Sequence, residues 1–262
     1  MTIDLFRQKK ISKEKISMIT CYDASFAAII DKTDIDAVLV GDSLAMVIYG
    51  HADTTQATMQ MMSLHTKAVR SKLKNKFLIS DMPFMSYRKN LTETITNAEK
   101  LIRSGANAIK LEGADGNLDC IRHLNESGIP VMGHLGLTPQ FINTFGGWKV
   151  QGKEQAAKEK MKQDAIRLQS AGCFSIVLEC VPSSLASDIQ KELNIPCIGI
   201  GAGADVDGQV LVLQDLIGLQ HEFRPKFVKQ YADTAALVGE AIDSYCKEVK
   251  NKDFPNAKES YQ

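Results

Sequence analysis

A net charge is the first thing this chain lacks: 31 Lys and Arg balance 31 Asp and Glu over 262 residues. No overall field draws it to nucleic acid or to an anionic membrane, so any preference for an anion has to be local. No hydrophobic stretch approaches the roughly 18 residues of a membrane span. The opening MTIDLFRQKKISKEK is charged and carries no apolar core of the kind a signal peptide needs, which gives the expectation of a cytoplasmic protein. Six cysteines (21, 120, 173, 180, 197 and 246) form no CxxC pair. Cys21, Cys180 and Cys197 fall inside apolar, strand-like runs, so buried reduced thiols are expected rather than a metal cluster or a disulfide framework. A linker is missing too. With 44% hydrophobic and 24% charged residues and no break in composition, the expectation is one domain over residues 1–262.

What is present is a repeated alternation of apolar runs and amphipathic segments. After a short helix over residues 2–10, strands are expected at Ile16–Tyr22, Ala37–Val40, Phe77–Ser80, Ala108–Gly113, Pro130–His134, Ser175–Glu179, Pro196–Gly201 and from Val210. Helices follow over 24–32, Met59–Leu73, from Leu91 to about Gly105 with Asn90 as cap, Leu118–Glu126, Glu154–Ala171 and Ser184–Leu193. Beyond Arg224 the chain is expected to be helical, ending in a polar tail, KNKDFPNAKESYQ. Unalternating runs such as Ala37-Val-Leu-Val read as strands buried on both faces, as in a parallel sheet covered by helices. Eight such strands in about 260 residues predict an α/β fold, a single (β/α)8 TIM barrel. A stretch of about twenty residues after His134, with Gly136, Pro139, Gly146, Gly147 and Gly152, has no periodicity, and loops of that length are usually functional or disordered. The glycines of GIGAGADVDG do not match GxGxxG, which favours close backbone packing over a dinucleotide site.

Asp42, Ser43, Asp81, Lys110, Glu112, His134 and Glu179 stand at or just beyond the C-terminal ends of the predicted strands, the end at which parallel α/β folds bind ligands. Each has an ordinary explanation: strand-end acids cap helices, a lone His packs, and Lys110 with Glu112 could be an internal ion pair. Together they would be five or more desolvated charges, which cost several kcal/mol per ion unless compensated. Asp42, Asp81 and Glu112 are hard oxygen donors without nearby Cys or paired His, a set that suits Mg2+ with water and a chelating substrate in its remaining places. A 2-keto acid offers a carboxylate and a carbonyl oxygen for those places. Lys110 and the cation would stabilise an enolate, and Glu179 is left as the base. The chemistry expected is proton abstraction next to a carbonyl.

The segments VGDSLAMV, SDMPFMSY, AIKLEG, GHLGLTPQ, FGGWKVQG, VLECVP and GIGAGADVDGQ, in that order between about Thr20 and Lys226, resemble the ketopantoate hydroxymethyltransferase family. The resemblance implies a barrel of the phosphoenolpyruvate/pyruvate type, a homo-oligomer that is a decamer, and the first step of pantothenate and coenzyme A biosynthesis. It implies transfer of a one-carbon unit from 5,10-methylenetetrahydrofolate to 3-methyl-2-oxobutanoate. By motif, Asp42 and Asp81 would hold Mg2+ and touch the keto acid, with Glu112 a further metal-associated carboxylate. Ser43 and Lys110 would bind substrate, Glu179 would accept the proton, and His134 matches an active-site position. Ala45 departs from the Gly more usual there and would strain the loop if that backbone took a positive φ. The alternatives are a Mg-dependent lyase or mutase of the isocitrate lyase/phosphoenolpyruvate mutase type, which VLECVP and the lack of a KKCGH-like motif argue against, and a non-catalytic keto-acid binder.

Overall fold

The structure, a computed structural model, describes residues 2–220 and 225–261. The chain divides into two units, Met1–Leu211 and Val212–Gln262. In the first, strands β1 (Ile16–Thr20), β2 (Ala37–Val40), β3 (Phe77–Asp81), β4 (Ala108–Lys110), β5 (Val131–Gly136), β6 (Ser175–Glu179), β7 (Cys197–Ile200) and β8 (Gly208–Leu211) pair in sequence order and in parallel. β8 returns to β1 through Ile16 opposite Gly208 and closes the barrel. α1 (Ile3–Ser12) precedes β1; α2 (Ala24–Ile30), α3 (Leu44–Val47), α4 (Met59–Lys72), α5 (Leu91–Arg103), α6 (Leu118–Glu126), α7 (Ile142–Phe145), α8 (Gln155–Ser170) and α9 (Ser183–Glu192) lie in the connections. The predicted barrel is thus observed.

Strand alternation builds the interior. Met18, Ala37 and Leu39, Phe77 and Ile79, Ala108, Met132, Val177, Ile198 and Val210 form the apolar cluster inside the barrel. Side chains two apart on a strand share a face. Two residues past Ile79, Ala108, Met132 and Val177 stand Asp81, Lys110, His134 and Glu179, so the apolar layers continue into a charged layer at the C-terminal end. The opposite end is closed by α1. Its Phe6 is buried in edge-to-face contact with Phe77 and Phe174 at centroid distances of 5.4 and 5.2 Å. Lys10 of the same helix donates to Asp207 at 2.9 Å and to the Gln190 carbonyl at 3.0 Å.

Several boundaries differ from the sequence reading. β4 stops at Lys110, which leaves Glu112 beyond the strand, and β8 starts two residues before Val210. Residues 201–207 join β7 to β8 without a helix, since the span is too short for one to form and return. Here Gly203, at φ +83°, packs against Ser183 where a Cβ would collide, which is the close backbone packing expected of that run. The aperiodic stretch after β5 contains a 3-10 turn, Pro139–Phe141, and α7. All six cysteines are free, but of the three assigned to strand-like runs only Cys197 lies in a strand. Cys21 directly follows β1, and Cys180 follows β6, half-buried at φ +48°. Ala45 sits in α3 with helical backbone and no positive φ, so it carries no strain. Asn90 caps α5 as expected, accepting from the Glu93 N–H at 2.8 Å.

In the second unit, α10 (Leu213–Leu216) is followed by α11 (Thr234–Asn251), whose N-terminus is capped by Asp233, accepting from the Ala236 N–H at 3.2 Å. Helix is expected beyond Arg224, which itself lies outside the described residues, but residues 225–233 form turns and loop, and the helix begins only at Thr234. After α11 the tail turns back, with the Phe254 ring 5.6 Å from that of Tyr245. Among the described residues no helix is long and apolar enough to cross a membrane.

Candidate active site

The barrel brings all seven predicted residues to one end. Gly41 follows β2, and Asp42 and Ser43 then open the turn into α3. The Asp42 N–H donates to Asp81 Oδ2 at 3.1 Å, which ties the end of β2 to the end of β3. Next to Asp81 in register stands Lys110, whose Nζ lies 2.9 Å from Asp81 Oδ1; the two side chains are 5% and 3% exposed. Glu112 is buried beyond β4, with its Oε1 3.3 Å from His134 Nδ1. The other ring nitrogen, Nε2, is 3.3 Å from Glu179 Oε2 at the end of β6. Glu179 is 16% exposed and so is the carboxylate of this set most open to solvent.

Burial decides the electrostatics. It pushes Asp42 well above the usual carboxylate range, and the like charges of Asp81 and Glu112 push the same way. Asp81 is also raised by burial, against the pull of Lys110 and of its hydrogen bonds. Burial alone would lower Lys110, but Asp81, Glu112 and Asp42 outweigh it and hold the ammonium charged. For His134 burial and Lys110 act downward, yet the contacts with Glu112 and Glu179 prevail and push the ring up to about 9. Lys110 Nζ is 3.5 Å from His134 Nδ1. With the ring charged both nitrogens carry protons, so Lys110 is there a repulsive neighbour and its useful contact is Asp81.

Four carboxylates therefore face two cations. Asp81 Oδ1 and Glu112 Oε1 are buried without a hydrogen bond of good geometry, although each lies near a cation. Surplus negative charge with unsaturated hard oxygens fits a divalent cation of the Mg2+ type. Among the described residues no group of three or more His, Cys, Asp or Glu is arranged to hold a metal ion by itself. Such a cation would take water and ligand oxygens in its remaining places, which is the ordinary habit of Mg2+.

Three residues at the site were missed in the sequence. Tyr22, just after β1, shares a 2.8 Å hydrogen bond with Ser43 Oγ. Gln140, in the 3-10 turn after β5, donates from Nε2 to Asp42 Oδ2 at 2.8 Å and from its backbone N–H to Glu112 Oε2 at 3.0 Å. Tyr87 donates its hydroxyl to Gln140 Oε1 at 2.7 Å. The available signals were the position of Tyr22 at a strand end and that of Gln140 inside GHLGLTPQ. Gly136, at φ +95°, lets the end of β5 lie directly on the Glu179 carbonyl, with which any Cβ there would collide. Leu137 N–H then donates to that carbonyl at 2.8 Å, which fixes the backbone carrying Glu179.

The sequence pattern of ketopantoate hydroxymethyltransferase matches residues 1–257. The 3-methyl-2-oxobutanoate hydroxymethyltransferase of Bdellovibrio bacteriovorus is 56% identical over 260 residues, covering 99% of each chain. Among solved structures, a phosphonopyruvate hydrolase in complex with oxalate and Mg2+ superposes with a TM-score of 0.63 at 12% identity, covering 99% of this chain and 93% of the other. A 2,3-dimethylmalate lyase of the phosphoenolpyruvate mutase/isocitrate lyase superfamily gives 0.61 at 15% identity, covering 99% and 91%. At such identities the two structures establish the fold alone.

Proposed function

The chain belongs to the ketopantoate hydroxymethyltransferase family, and from that premise we propose that its barrel mouth transfers a hydroxymethyl group to 3-methyl-2-oxobutanoate. The donor is 5,10-methylenetetrahydrofolate, water supplies the hydroxyl oxygen, and the products are 2-dehydropantoate and tetrahydrofolate. This is the first step of pantothenate synthesis. The lyase and mutase reading is supported by fold likeness only, whereas the hydroxymethyltransferase reading has sequence identity over the whole chain.

The observation that carries the reading is a buried, negatively surplus oxygen cluster beside a charged lysine, with a more exposed carboxylate across from it. Asp42 and Asp81, with Glu112 beside them, would hold Mg2+. Bound there, the cation would supply positive charge at the keto oxygen and bring the two chelating oxygens of the keto acid to one point. Ser43, held by Tyr22, would donate to the substrate carboxylate. The Lys110 ammonium would favour negative charge developing on the keto oxygen. Glu179 would remove the proton from C3, and His134 would fix its orientation through the Oε2 contact. Carbon–carbon bond formation to the one-carbon unit would follow.

Exchange of the C3 proton of 3-methyl-2-oxobutanoate with deuterated solvent tests the base without folate. The unsubstituted chain exchanges it in the presence of Mg2+, and Glu179→Gln lowers the rate by about 10²–10⁴-fold while the keto acid still binds. Exchange at the unsubstituted rate in Glu179→Gln removes Glu179 from this role. Cleavage of isocitrate-type substrates with no hydroxymethyl transfer overturns the whole reading. The same reading carries a cytoplasmic homodecamer. Supporting assembly, α11 exposes Val238, Ile242, Tyr245 and Val249 at helical spacing, and light scattering of the purified chain checks it.

A further inference from the structure

We propose that Gln140 is a positioning residue of the cation site, deciding which oxygens of Asp42 and Glu112 are left to face it; the inference rests on the Mg2+ reading given above. Gln140 is 4% exposed, and its side-chain amide and its backbone N–H all have named partners. Nε2 donates to Asp42 Oδ2 and, at 3.0 Å, to the Met82 carbonyl. Oε1 accepts from the Tyr87 hydroxyl, which in turn accepts from the Glu112 N–H at 3.2 Å. Its backbone N–H goes to Glu112 Oε2. Reversing the amide would set Oε1 against a carboxylate and a carbonyl, two acceptors, so the network permits only one orientation.

The consequence is a sorting of oxygens. Gln140 occupies Oδ2 of Asp42 and Oε2 of Glu112, while the Asp42 N–H occupies Oδ2 of Asp81. The oxygens not taken up by Gln140 or by a backbone N–H are buried: Asp81 Oδ1, 2.9 Å from the Lys110 ammonium, and Glu112 Oε1, 3.3 Å from His134 Nδ1. One neutral residue thus holds two like-charged groups in place without adding charge that would compete with a cation. A partner that orients a ligating carboxylate typically governs metal affinity by about 10–100-fold.

The test uses the full chain with Gln140→Met, which keeps length and the backbone N–H but removes the amide. Tyr87→Phe is the milder variant, removing only the hydroxyl that orients that amide. Mg2+ binding is measured by calorimetry with and without 3-methyl-2-oxobutanoate, alongside thermal melting and C3 exchange. Gln140→Met is expected to weaken Mg2+ binding by about 10–100-fold, and Tyr87→Phe by about threefold to tenfold. In both, exchange returns to within a few-fold of the unsubstituted rate once Mg2+ is saturating. A merely structural role would lower melting temperature and exchange at every Mg2+ concentration with unchanged affinity, and that result overturns the inference. Where Gln140→Met does not fold, unchanged affinity in Tyr87→Phe overturns it alone. If the unsubstituted chain takes up no Mg2+, both the cation reading and the inference fail; uptake with unaltered affinity in the variants removes the inference only.

Discussion

Replacing Lys110 by Met separates the electrostatic work of the site from its packing, because the stem is kept and only the charge is lost. Its Nζ stands 2.9 Å from Asp81 Oδ1, with both side chains almost fully buried. At an effective dielectric of about 20 that contact alone is worth about 6 kcal/mol before desolvation. Relief of the lysine's own desolvation returns part of this, and the net loss on breaking such a pair is about 3–5 kcal/mol. For a chain of this size that lowers the melting temperature by about 6–15 °C. The loss depends on pH. Without the ammonium, burial pushes Asp81 and Asp42 further up, so the folded chain keeps protons that the unfolded chain has released. Stability is then regained as pH falls, and the deficit at about pH 5.5 is smaller than at about pH 8. Melting curves in the presence of a chelator, at both pH values, measure it. C3 exchange with Mg2+ restored falls by about 10²–10³-fold, the usual loss of one preorganised electrostatic contact. A deficit below about 1 kcal/mol at the higher pH, or one that grows on acidification, would refute the account of a lysine neutralising buried acids.

Phe6→Ala, at the closed end, costs about 3–5 kcal/mol by chemical denaturation, yet C3 exchange at 25 °C stays within about twofold because the binding face lies at the other end of the strands. A large loss of exchange in the folded variant would show that the two ends are not independent. His134, raised to about 9, contributes stability complete below its ordinary 6.5 and lost as pH rises through about 9. In His134→Gln the melting temperature should depend less on pH across that window, and an unaltered slope counts against the assignment. Asp42→Asn removes one of three crowded acids, so the metal-free variant should melt no lower than the unsubstituted chain while losing the Mg2+-induced rise. A rise as large as that of the unsubstituted chain removes Asp42 from the cation site.

Where burial dictated the residues, the fold was readable. β6 and α6 run over the predicted Ser175–Glu179 and Leu118–Glu126, since apolar runs and helical spacing report burial directly. β8 was harder. Its first residues, Gly208 and Gln209, carry no apolar signal, and Gln209 is exposed. Gly208 is in the strand because it lies opposite Ile16, so close that a Cβ would strike the Ile16 carbonyl. That is a contact between residues nearly two hundred positions apart, which no local window contains. The turn at Pro139–Phe141 escaped for a related reason, as its order comes from Asp42, Met82, Tyr87 and Glu112 rather than from its own sequence.

The charged layer was legible because charge in a barrel interior is anomalous. Asp81, Lys110, His134 and Glu179 continue, two residues on, a face already carrying Ile79, Ala108, Met132 and Val177. Gln140 gave no such signal: a neutral amide in a glycine-rich stretch costs nothing to leave on a surface, and its burial follows only from closure of the barrel. The two kinds of residue answer to one constraint. Lys110 and His134 could balance two carboxylates as plain structural ion pairs, but the site holds four, and a buried surplus of that kind costs several kcal/mol per uncompensated ion. Apolar residues of similar volume would make a more stable barrel. A cation recovers that cost only if the acids are held with the right oxygens exposed, and a charged orienting residue would either add to the surplus or compete with the cation. A buried amide does neither, which is why the least conspicuous residue of the mouth is the one on which Asp42 and Glu112 both depend.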